Sequence, residues 1–343
     1  MKEFYPIFRK IEEHIKKADK VMVISHQNPD GDAVGSLLGM SHFLEHYKTP
    51  HTLFCTTPVP EYLHFLPHSE KIESNEELLL QNEHDLIIIL DSGDLKYAGV
   101  EDHFRRIKGL PVVINIDHHP TNQHYGHVNL VHHQASSTSE IIFHFIDYFR
   151  LPMNKNVATQ LMTGILTDTG SFSNLSTTPS SMEVSSKLMA HGARVKEITA
   201  NAFQNKSLMQ LQLWGRALSR LKENRETGII TTVLTQKDFD ELGMSDESSE
   251  GIANFLNSVE KAKAIMVLRE KSDGTIKGSL RTTQPGVDVS KIAEFFGGGG
   301  HKKAAGFTIK GKLQEKNNGW EVIATQGSNH PESDEGSSDP KKK

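Results

Sequence analysis

The chain has 343 residues, with 38 Lys and Arg against 43 Asp and Glu, a formal net charge of −5 and a single cysteine. That length suits about two domains, each able to bury its own core, and excludes a disulfide-stapled miniprotein. The weakly acidic balance gives no broad footprint for long duplex nucleic acid, and Cys55 alone can form neither an internal disulfide nor a thiolate zinc site, which leaves N and O ligands for any metal.

At the start of the chain, Phe4, Ile7, Phe8, Ile11 and Ile15 fall at helical spacing and predict an amphipathic helix. The same stretch lacks the apolar run and small-residue cleavage site of a secretory signal, so a cytoplasmic protein is expected. No membrane association is expected either, because the longest aliphatic run, Leu86–Leu90, is far too short to span a bilayer. VMVIS (Val21–Ser25), LIIIL (Leu86–Leu90) and VVINI (Val112–Ile116) read as strands apolar on both faces, as in a parallel sheet covered by helices. A helix is predicted from Ala33 to about Tyr47.

Helical patterns then dominate, over residues 137–149, 156–167, 180–190 and 207–221. Strand patterns return at Gly228–Leu234, Ala264–Glu270 and Thr275–Arg281, and predict a smaller α+β domain. The expected organisation is an α/β catalytic domain with a helical extension over about residues 1–195, a helical linker over 196–225, a second domain over 226–312 and a disordered tail over 313–343. Residues 261–312 carry eleven Lys and Arg against four Asp and Glu, a local basic excess suited to an anionic ligand or to a solvated face.

Three of these strands run into metal-competent side chains: VMVIS into His26, LIIIL into Asp91, and VVINI into Asp117, His118 and His119. In open parallel sheets, ligands bind outside the carboxyl ends of the strands, so these residues should converge. The first loop adds Asp30 and Asp32 on either side of Gly31, although Asn-Pro-Asp-Gly is also an ordinary turn sequence. Asp168 continues the apolar stripe of Val157, Leu161, Gly164 and Ile165 and should therefore point inward. A shared cleft holding Asp30, Asp32, Asp91 and Asp168, with no Lys or Arg in the motifs, needs cationic compensation. Two divalent cations roughly 3.5–4 Å apart meet that need, and manganese matches the O and N donors best.

Taken in order, His26-x-x-x-Asp30-x-Asp32, Asp91, Asp117-His118-His119 and Asp168 resemble the four motifs of the DHH phosphoesterase superfamily. Gly297-Gly-Gly-Gly300-His301-Lys-Lys-Ala-Ala305-Gly306 resembles the signature of the DHH-associated domain of type 1. Length and domain pair are similar to the nanoRNase/pAp phosphatase group. The resemblance implies one metal on His26, Asp30 and Asp91, and a second on Asp32, Asp91, His118 and Asp168. Asp117 would orient the site, and His119 would face the substrate phosphate. Arg281 would grip a terminal phosphate, while Gly298, Gly299, Gly300 and His301 would form an anion-binding loop.

The resemblance further implies hydrolysis of short RNA oligonucleotides to mononucleotides and of 3′-phosphoadenosine 5′-phosphate (pAp). The two-domain architecture predicts a pocket for one terminal nucleotide across an interdomain cleft, and a homodimer is compatible with it. A phosphodiesterase for cyclic or linear dinucleotides, and a nucleotide-binding regulator without catalysis, are the rival expectations. A longer single-strand DNA exonuclease of the RecJ type, or a pyrophosphatase with a different second domain, fits less well. Outside these motifs, His132-His133 beside the capping box Ser137-x-x-Glu140 reads as structural or surface, and Trp214 as core.

Overall fold

The computed structural model describes residues 1–323 apart from 81–82, 107–110, 205–206, 246–248, 250, 258, 260–261 and 317–318. The chain divides into two compact units, residues 1–205 and 206–343. In the first unit the order is α1 (Tyr5–Lys17), β1 (Val21–Ile24), α2 (Gly31–His46), β2 (His51–Phe54), β3 (Ile72–Glu73), α3 (Glu77–Leu80) and β4 (Leu86–Leu90). There follow α4 (Glu101–Arg106), β5 (Val112–Asp117), β6 (Val128–Val131), α5 (Thr138–Tyr148), α6 (Lys155–Asp168), α7 (Pro179–Ala190) and α8 (Val195–Ile198).

The six strands form one wholly parallel sheet in the order β3-β2-β1-β4-β5-β6. Alternate residues serve opposite faces, as a pleated strand requires. Leu86, Ile88 and Leu90 join the core beneath α1, α2, α5 and α6, while Ile87 and Ile89 join a second core with Ala98, Val100 and Phe104. Both faces are therefore buried, which is why these strands read as continuous apolar runs. The strand order reverses between β1 and β4, so the loops after these two strands part company and leave a crevice at their carboxyl ends.

α2 and α6 approach closely because Gly31, Gly35 and Gly39 lie one turn apart on the same helix face. A Cβ at Gly35 would stand 2.5 Å from the Gln160 carbonyl oxygen, and one at Gly39 would stand 2.6 Å from the Leu161 side chain. On α6, a Cβ at Gly164 would come within 2.5 Å of an Asp32 carboxylate oxygen. This packing sets the carboxylate of Asp32 beside the end of α6 that carries Asp168.

The second unit contains α9 (Leu208–Ser219), β7 (Lys222–Asn224), β8 (Ile229–Leu234), α10 (Gln236–Leu242), α11 (Ile252–Leu256), β9 (Ala264–Glu270) and β10 (Thr275–Arg281). It continues through α12 (Ser290–Phe295), β11 (Gly299–His301), β12 (Ala304–Lys310), β13 (Lys312–Lys316) and β14 (Gly319–Ile323). Its main sheet is mixed, in the order β11-β12-β10-β9-β8-β7, with β8 and β9 parallel and the other pairs antiparallel.

Two segments differ from expectation. The helix expected to link the units, α9, instead buries Leu213 and Ala217 with Leu234, Phe239 and Ile265 in the second unit's own core. Its apolar residues run around the helix, so the sequence does not say which face is covered. Residues 313–316 and 319–323, expected within the tail, pair as the hairpin β13–β14, with Leu313 buried beside Ile276 and Val233. Residues 324–343 of that expected tail lie outside the described residues. Among the described residues, no helix is long and apolar enough to cross a membrane.

Gly35→Ala should lower the unfolding temperature. Overpacking against a backbone carbonyl costs about 1–3 kcal/mol, more than the ~1 kcal/mol of helix propensity gained. Thermal denaturation checks this, and an unchanged or raised Tm would contradict the close α2–α6 packing.

Candidate metal centre

β1, β4 and β5 lie side by side in parallel register, so the residues that follow them emerge at one sheet edge. His26 follows β1 and Asp91 follows β4, on the two sides of the strand-order reversal, and Asp117 closes β5. Asp91 adopts a left-handed backbone with φ of 56°, a conformation that Asp tolerates better than most side chains and that functional sites often hold. Asp30 caps α2, its Oδ1 accepting from the N–H groups of Asp32 at 2.9 Å and Ala33 at 3.1 Å. Asp32 and Asp168 arrive from α2 and α6.

Three donor sets form there, each with ligand atoms within 4.8 Å of one another: His26, Asp30 and Asp91; Asp32, His118 and Asp168; and Asp91, His118 and His119. Asp91 belongs to two of them. His26 Nε2 stands 3.5 Å from Asp91 Oδ2, and His118 Nε2 stands 3.7 Å from Asp91 Oδ1 and 3.2 Å from Asp168 Oδ2. Among the described residues, the ion pairs made by these carboxylates are all with histidine.

The second ring nitrogens are already committed. His26 Nδ1 lies 2.8 Å from the Gln27 carbonyl oxygen, and His118 Nδ1 lies 3.3 Å from that of Ala135. Donation from Nδ1 to a carbonyl fixes the tautomer that leaves Nε2 as a lone-pair donor, the arrangement that metal-ligating imidazoles use. His119 differs: its Nδ1 is 2.7 Å from Asp117 Oδ1. Asp117 in turn accepts from the His118 N–H at 2.8 Å and from Asn122 Nδ2 at 2.6 Å, and Asn122 is bonded to Asn115 on β5. Asp117 is thus the centre of a buried frame that aims both histidines.

Sequence reasoning missed Thr138 and Ser139. Asp32 is fully buried, and its two oxygens accept from the N–H groups of Thr138 at 2.6 Å and Ser139 at 2.8 Å at the start of α5. The Thr138 hydroxyl donates to Asp91 Oδ1 at 3.0 Å. One buried residue therefore ties together carboxylates from α2 and from the β4 loop. The hydroxyl-rich run Ser136–Ser139 was the available signal, though it reads first as a helix cap. That cap is present: Ser137 accepts from the Glu140 N–H at 3.1 Å, while Glu140 reaches back to Ser136.

Charge here is crowded. Burial pushes the Asp32 carboxyl well above its ordinary range, and the neighbouring Asp91 and Asp168 push it further. Burial also raises Asp168, to about 6, against the opposing pull of His118. Burial disfavours the charged forms of His26 and His118, but their carboxylate neighbours, Asp30 and Asp91 for one and Asp168 for the other, outweigh it and raise both well above the usual histidine value. The donor chemistry suits hard or borderline divalent cations, which would replace these protons as the compensating charge.

The residues of the second unit that the sequence assigns to phosphate binding stand apart in their own sheet. Arg281, at the end of β10, donates from Nε to Asn254 Oδ1 at 2.8 Å and from Nη1 to the Leu280 carbonyl at 2.9 Å, and makes no ion pair among the described residues. Gly298 donates its N–H to the Ala293 carbonyl at 2.8 Å, so that N–H is not available to an anion-binding loop. A Cβ at Gly298 would also stand 2.2 Å from the Gly306 oxygen, so close packing requires that glycine. Gly299, Gly300 and His301 form the exposed strand β11 on the sheet edge. His133 is exposed with Nδ1 3.1 Å from the His119 carbonyl oxygen, and Trp214 packs 5.5 Å from Phe255 beside the core, neither of them joining the donor sets.

Manganese uptake by dialysed protein should release about one proton per ion near pH 7, because His26 and His118 must lose protons to ligate. Affinity should rise with pH and fall steeply as the pH drops through about 6, where Asp168 also takes a proton. Calorimetry in buffers of different ionisation enthalpy measures this. A buffer-independent heat would show that the histidines do not ligate.

A family model described as the DHH family, N-terminal domain, matches residues 20–165, and one described as the DHHA1 domain matches residues 215–323. The bifunctional oligoribonuclease and PAP phosphatase NrnA of Thermus thermophilus is 32% identical over 85% of this chain and 84% of that protein. The cyclic-di-AMP phosphodiesterase GdpP of Geobacillus thermodenitrificans is 25% identical over 85% of this chain but 45% of that protein. The crystal structure of an exopolyphosphatase-related protein from Bacteroides fragilis superposes with a TM-score of 0.83 at 29% identity, covering 90% of this chain and 92% of that one. With its metal-competent residues at the carboxyl ends of a parallel sheet and a DHHA1 domain later in the sequence, this chain belongs to the DHH family of phosphoesterases.

Proposed function

We propose that this chain hydrolyses short oligoribonucleotides to mononucleotides and removes the 3′-phosphate of pAp, using two divalent cations for which Mn²⁺ is the best match. The observation that carries the reading is the position of Asp91, one oxygen beside His26 and the other beside His118, between the His26–Asp30 and the Asp32–His118–Asp168 groups, which suits a paired-ion site rather than a single one. The extent of likeness favours this substrate class over cyclic dinucleotides, since the match spans 84% of the oligoribonuclease relative and 45% of the cyclic-di-AMP one.

In this reading His26, Asp30 and Asp91 hold one cation, and Asp32, Asp91, His118 and Asp168 the other. When bound, the cations supply Lewis acidity toward a water and toward the phosphoryl oxygens. The protein's own groups do the positioning. Asp117 holds Nδ1 of His119 at 2.7 Å, so the ring is oriented before substrate arrives and its other nitrogen can donate to a phosphoryl oxygen. Thr138 and Ser139 keep Asp32 from rotating as charge moves in the site. Arg281, with Nε and Nη1 anchored, presents Nη2 to a terminal phosphate, and the Gly299–His301 strand puts an exposed sheet edge in the same unit for the end of the substrate.

Asp91→Ala should abolish turnover of every substrate, because it removes the carboxylate whose two oxygens face His26 on one side and His118 on the other. Arg281→Ala should raise KM for pAp and short RNA roughly 10- to 100-fold with little change in kcat, the scale of one charge-assisted hydrogen bond. Initial rates with Mn²⁺ on RNAs of about two to twenty nucleotides, pAp and a cyclic dinucleotide test the substrate class, with EDTA as the control for metal dependence. Preference for the shortest RNAs and pAp is expected. Equal kcat/KM on the longest and shortest RNA, or selective turnover of the cyclic dinucleotide, would contradict the reading.

A further inference from the structure

Tyr97 lies in the loop after β4, and its ring stacks on that of His26 with centroids 4.8 Å apart and planes inclined by 23°. It is nonetheless 46% exposed, unusual for a large ring this close to a buried centre. Its backbone is pinned on both sides: the carbonyl accepts from the Gln27 N–H at 3.2 Å, and the N–H donates to Asp94 Oδ1 at 2.6 Å. The Ser92 hydroxyl, bonded to the Asp94 carbonyl at 2.8 Å, braces the same turn. Among the described residues, the phenol hydroxyl makes no hydrogen bond. A rigid ring of this kind, beside the groups that would receive a phosphate, has an apolar surface and a hydroxyl that the protein itself does not use.

We propose that Tyr97 is the shelf on which the nucleobase of the substrate stacks, with its hydroxyl facing a polar group of the base or ribose. This rests on the proposed nucleotide chemistry and goes beyond it, because it assigns recognition of the base to a residue outside the metal and phosphate sets. Any base offers a π face, so the shelf serves RNA of any sequence as well as pAp. It gives a reason for the first unit to discriminate a nucleotide from a bare sugar phosphate.

The test is equilibrium binding of AMP and of ribose 5-phosphate to the Mn²⁺-loaded protein, with Mn²⁺ affinity measured in parallel, for wild type, Tyr97→Ala and Tyr97→Phe. Wild type should bind AMP more tightly than ribose 5-phosphate by about 5- to 150-fold, the range of one base–aromatic stack. Tyr97→Ala should erase that ratio while leaving Mn²⁺ affinity and ribose 5-phosphate binding in place, and Tyr97→Phe should keep most of it. If Tyr97→Ala weakens Mn²⁺ and both ligands alike, or leaves the ratio unchanged in an enzyme that hydrolyses pAp, the shelf is wrong although the activity stands. A wild type that neither binds AMP nor hydrolyses pAp and short RNA overturns the activity and the shelf together.

Discussion

Four carboxylates crowd one crevice, and no lysine or arginine is paired with them among the described residues. At about 4 Å, two like charges in a partly screened protein environment repel by roughly 4 kcal/mol. The protein alone can relieve this only with protons, and the raised values of Asp32, Asp168, His26 and His118 are that relief. Divalent cations relieve it without protonating the ligands, so the same repulsion that burdens the fold creates a high-charge cation site.

The rest of the first unit holds those charges where they repel. Reversal of strand order between β1 and β4 sets His26 and Asp91 across a crevice. The glycine-lined contact of α2 and α6 brings in Asp32 and Asp168, and Gly164 leaves the space that the Asp32 carboxylate occupies. The start of α5 supplies two N–H groups to Asp32 and a hydroxyl to Asp91, a fixed polar end where negative charge is favoured. Asp117, secured by Asn122, does the equivalent for the histidine pair. Most of the polar groups around the donor sets hold carboxylates and imidazoles in place, while the ring of Tyr97 stays half exposed beside His26.

Much of this was legible because strands buried on both faces advertise themselves, and the polar residue that ends each apolar run stands out. Asp168 was visible through the helical stripe it continues. The short strands β2, β3 and β6 carry mixed or brief patterns, such as His51–Phe54, and their place in the sheet comes from pairing that no local signal encodes. Thr138 was hidden because a hydroxyl before a helix reads as a cap, and its bond to Asp91 spans 47 positions. Tyr97 has no spacing relation to His26. The hairpin β13–β14 was obscured by charge: its strands bury little beyond Leu313, and their polar composition resembles that of a tail.

The most direct test of the paired-ion claim is anomalous diffraction at the manganese edge from crystals grown with Mn²⁺. The account predicts two peaks on either side of Asp91, one among His26 and Asp30 and the other among Asp32, His118 and Asp168. A single peak, or none in crystals of active protein, would contradict it.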